Sequence, residues 1–211
     1  SQLVLQAFKH SSKQVKVSVE LMEDSSVDMA SFLGQALGTR LARITNNHFT
    51  VGTGSSQPKG IVTAATDSGV DTDSATAVTR AKLVDAMMSV DPAYRANGKW
   101  MFSDTILQYV LKVTDSTNQP LWLPGNDGPI GDTILGKPYV INQDMADTTG
   151  TKAILFGDLS KYIVREVTDL QFLQLNERYA DYHQVGFLAF LRADGDLLDA
   201  GTNPVKYAEL A

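Results

Sequence analysis

From Lys13 to Leu21 the chain alternates: Val15, Val17, Val19 and Leu21 are interleaved with Lys16, Ser18 and Glu20. This two-residue period gives a strand one apolar and one solvated face. Upstream, Leu3 to Phe8 is a second strand-like run, and together with Gln14 to Leu21 it predicts two antiparallel strands joined by the polar turn His10-Ser11-Ser12. After Glu23-Asp24 the period changes. Met29, Phe32, Leu33, Ala36, Leu37, Leu41 and Ile44 recur at spacings of three and four, which makes one apolar stripe down a helix of about five or six turns. Ser25 or Ser26 can cap that helix, with Asp28 at its positive end, while Arg40, Arg43 and Asn46 keep the opposite side wet. Ala30, Gly34, Gly38 and Ala42 put a small side chain at every fourth position. Two interior glycines cost about 1 kcal/mol each relative to alanine. The offsetting gain is either close backbone approach to a sheet or neighbouring subunit, or tight packing within the domain.

Downstream, Thr63 to Thr76 is rich in Thr, Ser, Asp, Gly and Ala without apolar period and reads as a solvated loop between domains. Val78 to Val90, stopped by Asp91-Pro92, and Thr105 to Val113 read as amphipathic helices around the short apolar strand Lys99 to Phe102. Turns rich in Gly, Pro, Asn and Asp follow, such as Pro124 to Pro129. The runs Tyr162 to Val167, Leu170 to Leu175 and Val185 to Arg192 are β-branched or aromatic and predict strands. Helices and antiparallel strands in this order indicate an α+β protein.

The loop Gly52-Thr53-Gly54-Ser55-Ser56-Gln57-Pro58-Lys59-Gly60-Ile61 invites a phosphate-binding reading. A Walker loop needs lysine and a hydroxyl after its last glycine, whereas here Lys59 precedes Gly60 and Ile61 follows. A dinucleotide fingerprint needs a glycine where Gln57 stands, and a strand before it. The loop is expected instead to end the helix, with Gly52 and Gly54 left-handed and Pro58 stiffening the return. Asp67, Asp71 and Asp73 lack the glycine and distal glutamate of a calcium loop.

The three histidines are His10, His48 and His183, and there is no cysteine, so bases, nucleophiles and zinc ligands are scarce. Asp181 and His183 are expected on one strand face without a third ligand. Ser103-Asp104, Asp194-Gly195-Asp196 and the pair Glu166 and Asp169 read as caps, turns and surface charge. No catalytic residue, metal site or cofactor follows from these patterns. With 211 residues the chain can bury on the order of 70% of its unfolded surface, and its formal charge of −6 speaks against a nucleic-acid-binding module. Without a long apolar run, and with Arg40 and Arg43 inside the glycine-bearing helix, a membrane-spanning segment is not expected.

The alternating strand, Glu-Asp turn, long helix and Gly-x-Gly-x-x-Gln-Pro-x-Gly-Ile loop together resemble the major capsid protein family of tailed bacteriophages, the Hong Kong-type capsid fold. Further elements of that resemblance follow in order: Ala77 to Met88, Lys99 to Asp104, Leu111 to Ser116 with Gln119 to Trp122, Leu135-Gly136-Lys137-Pro138, and Leu155-Phe156-Gly157-Asp158. The resemblance implies a peripheral domain made of 22–75 and 166–211, a long spine helix on an antiparallel sheet. It also implies an inserted axial domain, 76–165, and the lower part of an extended hairpin arm, the E-loop, over 1–21. Family members usually carry more chain upstream, including an N-terminal arm.

The implied function is structural self-assembly: hexamers and pentamers of one chain forming an icosahedral head that encloses phage DNA, with no enzymatic role. The chain would reside in the virion capsid, and in the host cytoplasm before assembly, with scaffold, maturation protease and portal proteins as further partners. Arg40 and Arg43 on the helix and the arm segment Phe8, Lys9 to Lys13 are the candidate assembly contacts, with plain solvated surface as the competing account. Some shells of this family close an isopeptide bond. Its lysine would fall upstream of Ser1 and its asparagine near Gly186, where no Asn occurs, so noncovalent assembly is expected. An encapsulin-type shell around cargo enzymes is the alternative, followed by an enzyme with an unrecognised site.

Overall fold

A computed structural model describes residues 3–72, 74, 78–114, 133–199 and 201–211. In chain order the elements are β1 (Phe8–Ser11), β2 (Val15–Ser18), α1 (Val19–Asp24), α2 (Met29–Val51), α3 (Ile61–Ala64), β3 (Thr66–Asp71), α4 (Arg80–Ser89) and α5 (Pro92–Arg95). They continue with β4 (Lys99–Phe102), α6 (Asp104–Leu111), β5 (Thr133–Ile134), β6 (Lys137–Ile141), β7 (Lys152–Gly157), β8 (Tyr162–Leu175), β9 (Gln184–Leu197) and β10 (Val205–Glu209). The mixed α+β class holds. The chain divides into two compact units: one of Gln2–Gly60 with Val164–Asp196, the other of Ile61–Ile163 with Leu197–Ala211. Residues 61–75 and 197–211, expected with the long helix, thus group with the second unit.

In the first unit, β9 is the central strand, paired with β8 and, antiparallel, with both β1 and β2. β1 lies against Phe190 to Ala193 and β2 against Gln184 to Phe187. The expected hairpin is therefore corrected: the two segments run in the same direction, end to end along β9, with a one-residue slip between them. His10 and Ser11, read as turn, belong to β1, and Leu3 to Ala7 is not part of a strand. The second strand also stops early, at Ser18, whose Oγ accepts from the Leu21 amide at 3.3 Å and starts α1. A local cap outweighs the alternation of Val19 and Leu21.

The helix α2 begins at Asp28, not at Ser25 or Ser26. The Asp28 carboxylate accepts from the amides of Ala30 and Ser31 at 3.0 and 3.3 Å and from the Ser31 hydroxyl at 2.6 Å. Its buried face is Leu37, Leu41 and Thr45, packed with Val17, Val185, Phe187 and Ala189. Burying each of the two leucines is worth about 1.5–3 kcal/mol. Phe32 and Ile44, read as part of the stripe, are 56% and 42% exposed. At the other end Gly52 has φ −55° and is not left-handed, whereas Gly54 is, at φ 79°. A side chain at Gly52 would run into the carbonyls of Pro58 and His48.

The last third reads as two long strands. The runs Tyr162 to Val167 and Leu170 to Leu175 are one strand, β8. Asp181 and His183 do not share a strand face: Ala180–Tyr182 is a 3-10 turn closed by His183 at φ 51°. Asp194-Gly195-Asp196, read as a turn, lies inside β9, and Asp194 is buried.

The second unit has a sheet ordered β3-β10-β7-β4-β6-β5, with β3–β10 and β4–β6 parallel and the other pairs antiparallel. β7 is buried from Ala153 to Gly157, as befits a central strand covered on both faces. Trp100 packs on Phe156, ring centroids 4.4 Å apart, and donates its indole N–H to the Ile134 carbonyl at 3.1 Å. Ile106, Leu107 and Val110 of α6 and Leu83 and Ala86 of α4 complete that core. β4 and α6 fall where the sequence predicts them, whereas the expected solvated loop of 63–76 holds α3 and β3. The expectations on Ala77, Asp115 to Trp122, Pro124 to Pro129 and Asp73 lie outside the described residues.

Candidate assembly surface

All five predicted contact residues belong to the unit of Gln2–Gly60 and Val164–Asp196. Arg40 and Arg43 are exposed on α2; Arg40, three residues from Leu37, flanks the buried stripe, and Arg43 lies further round the helix. Among the described residues neither meets a carboxylate at ion-pair distance. Lys9 is exposed and holds its ammonium 4.1 Å from the centre of the Phe190 ring, a cation–π contact. Phe8 is half-buried and pairs with Ala193, and Lys13 is exposed in the break between β1 and β2. Strand alternation separates them further: Phe8 faces the α2 side of the sheet and Lys9 the other. The two arginines and the arm residues therefore do not make one patch.

Two charged residues that the sequence did not single out for this role tie down the segment before β1. Arg165 on β8 donates to the Leu5 carbonyl at 2.7 Å, and Asp194 on β9 accepts from the Gln6 amide at 2.5 Å and from the Gly195 amide at 2.8 Å. Lys59, in the glycine loop, pairs with Asp196 at 3.8 Å, and its amide donates to the Gly195 carbonyl at 3.1 Å. β8 also exposes Val164, Val167, Leu170, Phe172 and Leu173. The apolar run of β8 was legible; that both of its faces remain exposed was not, because burial is a property of neighbouring elements.

Among the described residues no three His, Cys, Asp or Glu side chains are grouped to hold a metal ion. Glu166 and Asp169 are exposed on β8. No described helix is long and apolar enough to cross a membrane.

The sequence model described as "Phage capsid family" matches residues 1–209. No curated protein matches the sequence. Among solved structures, the fold is similar to the capsid of a native GTA particle, with TM-score 0.88 and 24% identity over 98% of this chain and 73% of that one. The capsid of an empty GTA particle gives TM-score 0.87 and 25% identity, covering 98% of this chain and 74% of the other. A structure from Mycobacterium phage Adephagia gives TM-score 0.73 at 15% identity, covering 98% and 73%. With the long helix laid on a β-sheet, the second unit's mixed sheet and the family match over nearly the whole length, the chain belongs to the phage capsid family and is a structural major capsid protein, a subunit that assembles with its own copies into an icosahedral shell.

Proposed function

We propose that this chain associates through hexamers and pentamers into the head that encloses phage DNA, and that it has no enzymatic role. The axial domain is assigned to the unit of Ile61–Ile163 and Leu197–Ala211, and the peripheral domain to the unit of Gln2–Gly60 and Val164–Asp196, in place of cuts after 75 and 165. The segment to Leu21 is assigned to the base of the hairpin arm. The observation that carries this reading is the family match over residues 1–209, supported by a net charge of −6, which suits a wall that faces DNA without gripping it.

Contacts between copies are assigned to Arg40 and Arg43 on α2 and to Phe8, Lys9 and Lys13 on the arm base, without covalent crosslinks. Heterologous contacts of this kind close only when the rotation between copies is right. Scaffold, maturation protease and portal proteins are the further partners, and the host cytoplasm the compartment before assembly.

The test is the mass distribution of the purified protein and of its full-length parent, by light scattering and negative-stain microscopy across concentration and salt. Rings or closed shells are expected. Shells that copurify with protein cargo instead would favour an encapsulin-type compartment, and a parent that stays monomeric under every condition would remove autonomous assembly.

A further inference from the structure

The strand β1 and the last turn of α2 meet through two histidines. His10 on β1 is 6% exposed, and its ring centroid lies 5.1 Å from that of His48 on α2, with the planes tilted by 43°. Nε2 of His10 and Nδ1 of His48 are both buried without a hydrogen-bond partner among the described residues. A buried polar atom left unpaired carries a desolvation cost, so this pairing needs an account that core packing alone does not supply.

Among the described residues no charged side chain is paired with His10 to offset a proton. From α2 the titratable group facing His10 is His48 itself; Arg40 and Arg43 are exposed. On β9 the register partner of His10 is the neutral Leu191, and Arg192 lies opposite Lys9, on the other face of the sheet. The two acidic residues of β9 are engaged elsewhere, Asp194 with the amides of Gln6 and Gly195 and Asp196 with Lys59. On β8, Arg165 reaches the Leu5 carbonyl, and Glu166 and Asp169 are exposed. Lys9, beside His10 on β1, points away over Phe190. Burial, and after it the charge of His48, hold the His10 imidazole below its ordinary value of 6.5.

We propose that His10 and His48 form a pH-sensitive latch: with both rings neutral β1 stays docked on the carboxyl-terminal turn of α2, and protonation releases it. An imidazolium at His10 would be buried beside a second imidazole, with no carboxylate paired to it among the described residues, which is the situation in which a buried cation destabilises its own site. Because the folded-state value is depressed, docking is fully stable above the ordinary pKa and weakens as pH falls through 6.5 towards that lower value. The latch lies within one unit of one chain and operates without a second copy.

Two measurements on the whole chain test it. In an NMR titration of the imidazole resonances over about pH 8 to 5, the His10 midpoint falls below 6.5; a midpoint at or above that value overturns the proposal. Amide hydrogen exchange, corrected for its intrinsic pH dependence, follows the same range with the β4 amides of the other unit as reference. Protection at Phe8–Ser11 drops by about tenfold for each pKa unit separating the free and docked His10. His10→Gln loses that dependence and His48→Gln weakens it, since burial still acts on His10, whereas His183→Asn, at the β8–β9 turn, keeps it. Protection that stays level with pH in the wild type, or a response retained in full by His10→Gln, also overturns the proposal. If a variant fails to fold, the wild-type titration still decides.

Discussion

Close approach, and not a left-handed backbone, decides the glycines at 52 and 60. Gly52 sits at ordinary φ, and the carbonyls of Pro58 and His48 exclude a side chain there. Gly60 is similar: a Cβ would lie 2.5 Å from the Gly52 nitrogen and the Thr50 carbonyl oxygen. Gly52→Ala should destabilise by about 1–3 kcal/mol, the usual cost of overpacking. Gly34 is the opposite case, because nothing lies within 4 Å of a Cβ placed on it. Gly34→Ala should therefore stabilise the isolated chain by about 0.5–1 kcal/mol through backbone entropy. Thermal melts of the two variants should move in opposite directions; a destabilised Gly34→Ala would show that the helix needs flexibility at that point. At Asp28, the Ser31 hydroxyl, then the Ser31 amide, hold the carboxyl below its ordinary range of 3.8. The cap stabilises α2 above that value, and the contribution disappears as pH falls through the lower folded-state value. Asp28→Ala should melt lower than wild type at neutral pH, with the gap closing in strong acid.

At the scale of elements, the sequence predicts a helix in the right place but only half of its buried face. Leu37 and Leu41 pack against Phe187, whereas Phe32 and Ile44 do not reach the core. Leu41→Ala should cost about 2–5 kcal/mol by leaving a cavity, and Ile44→Ala about 0.5 kcal/mol or less. Equal losses in denaturant unfolding would mean that the stripe is centred differently. The strand β3 was hidden for a different reason. Thr66 to Asp71 carries no apolar period, and it is a strand because β10 supplies a parallel partner: Thr66 opposite Lys206, Asp67 opposite Tyr207. Edge-strand identity of this kind belongs to the partner and leaves little trace in the segment itself. The strand β4, in contrast, was legible because Trp100, Met101 and Phe102 form an apolar run bounded by Gly98 and the Ser103-Asp104 helix start.

For the whole molecule, the question is which surfaces meet other copies. The double variant Arg40→Glu, Arg43→Glu changes only exposed, unpaired side chains among the described residues. Monomer stability should shift by about 0.5 kcal/mol or less, while the yield of shells by light scattering should fall. Equal assembly by the variant would remove both arginines from the contact surface. The candidate surface was only partly legible: the exposure of Arg40 and Arg43 follows from helical period, but the separation of Phe8 from Lys9 needed the strand register on β9. Arg165 and Asp194 converge on Leu5 and Gln6 from positions about 160 and 188 residues away in sequence, beyond the reach of any local pattern.

The sequence by itself determined the α+β class, the long helix, the short buried strand before α6 and the family, because each rests on a local period or an ordered series of short motifs. The tertiary structure alone decided that β1 and β2 share one neighbour, that Asp194 is a buried acceptor, and that His10 faces His48. These are pairings across long stretches of chain, set by which surfaces exclude water together, and no local pattern encodes them.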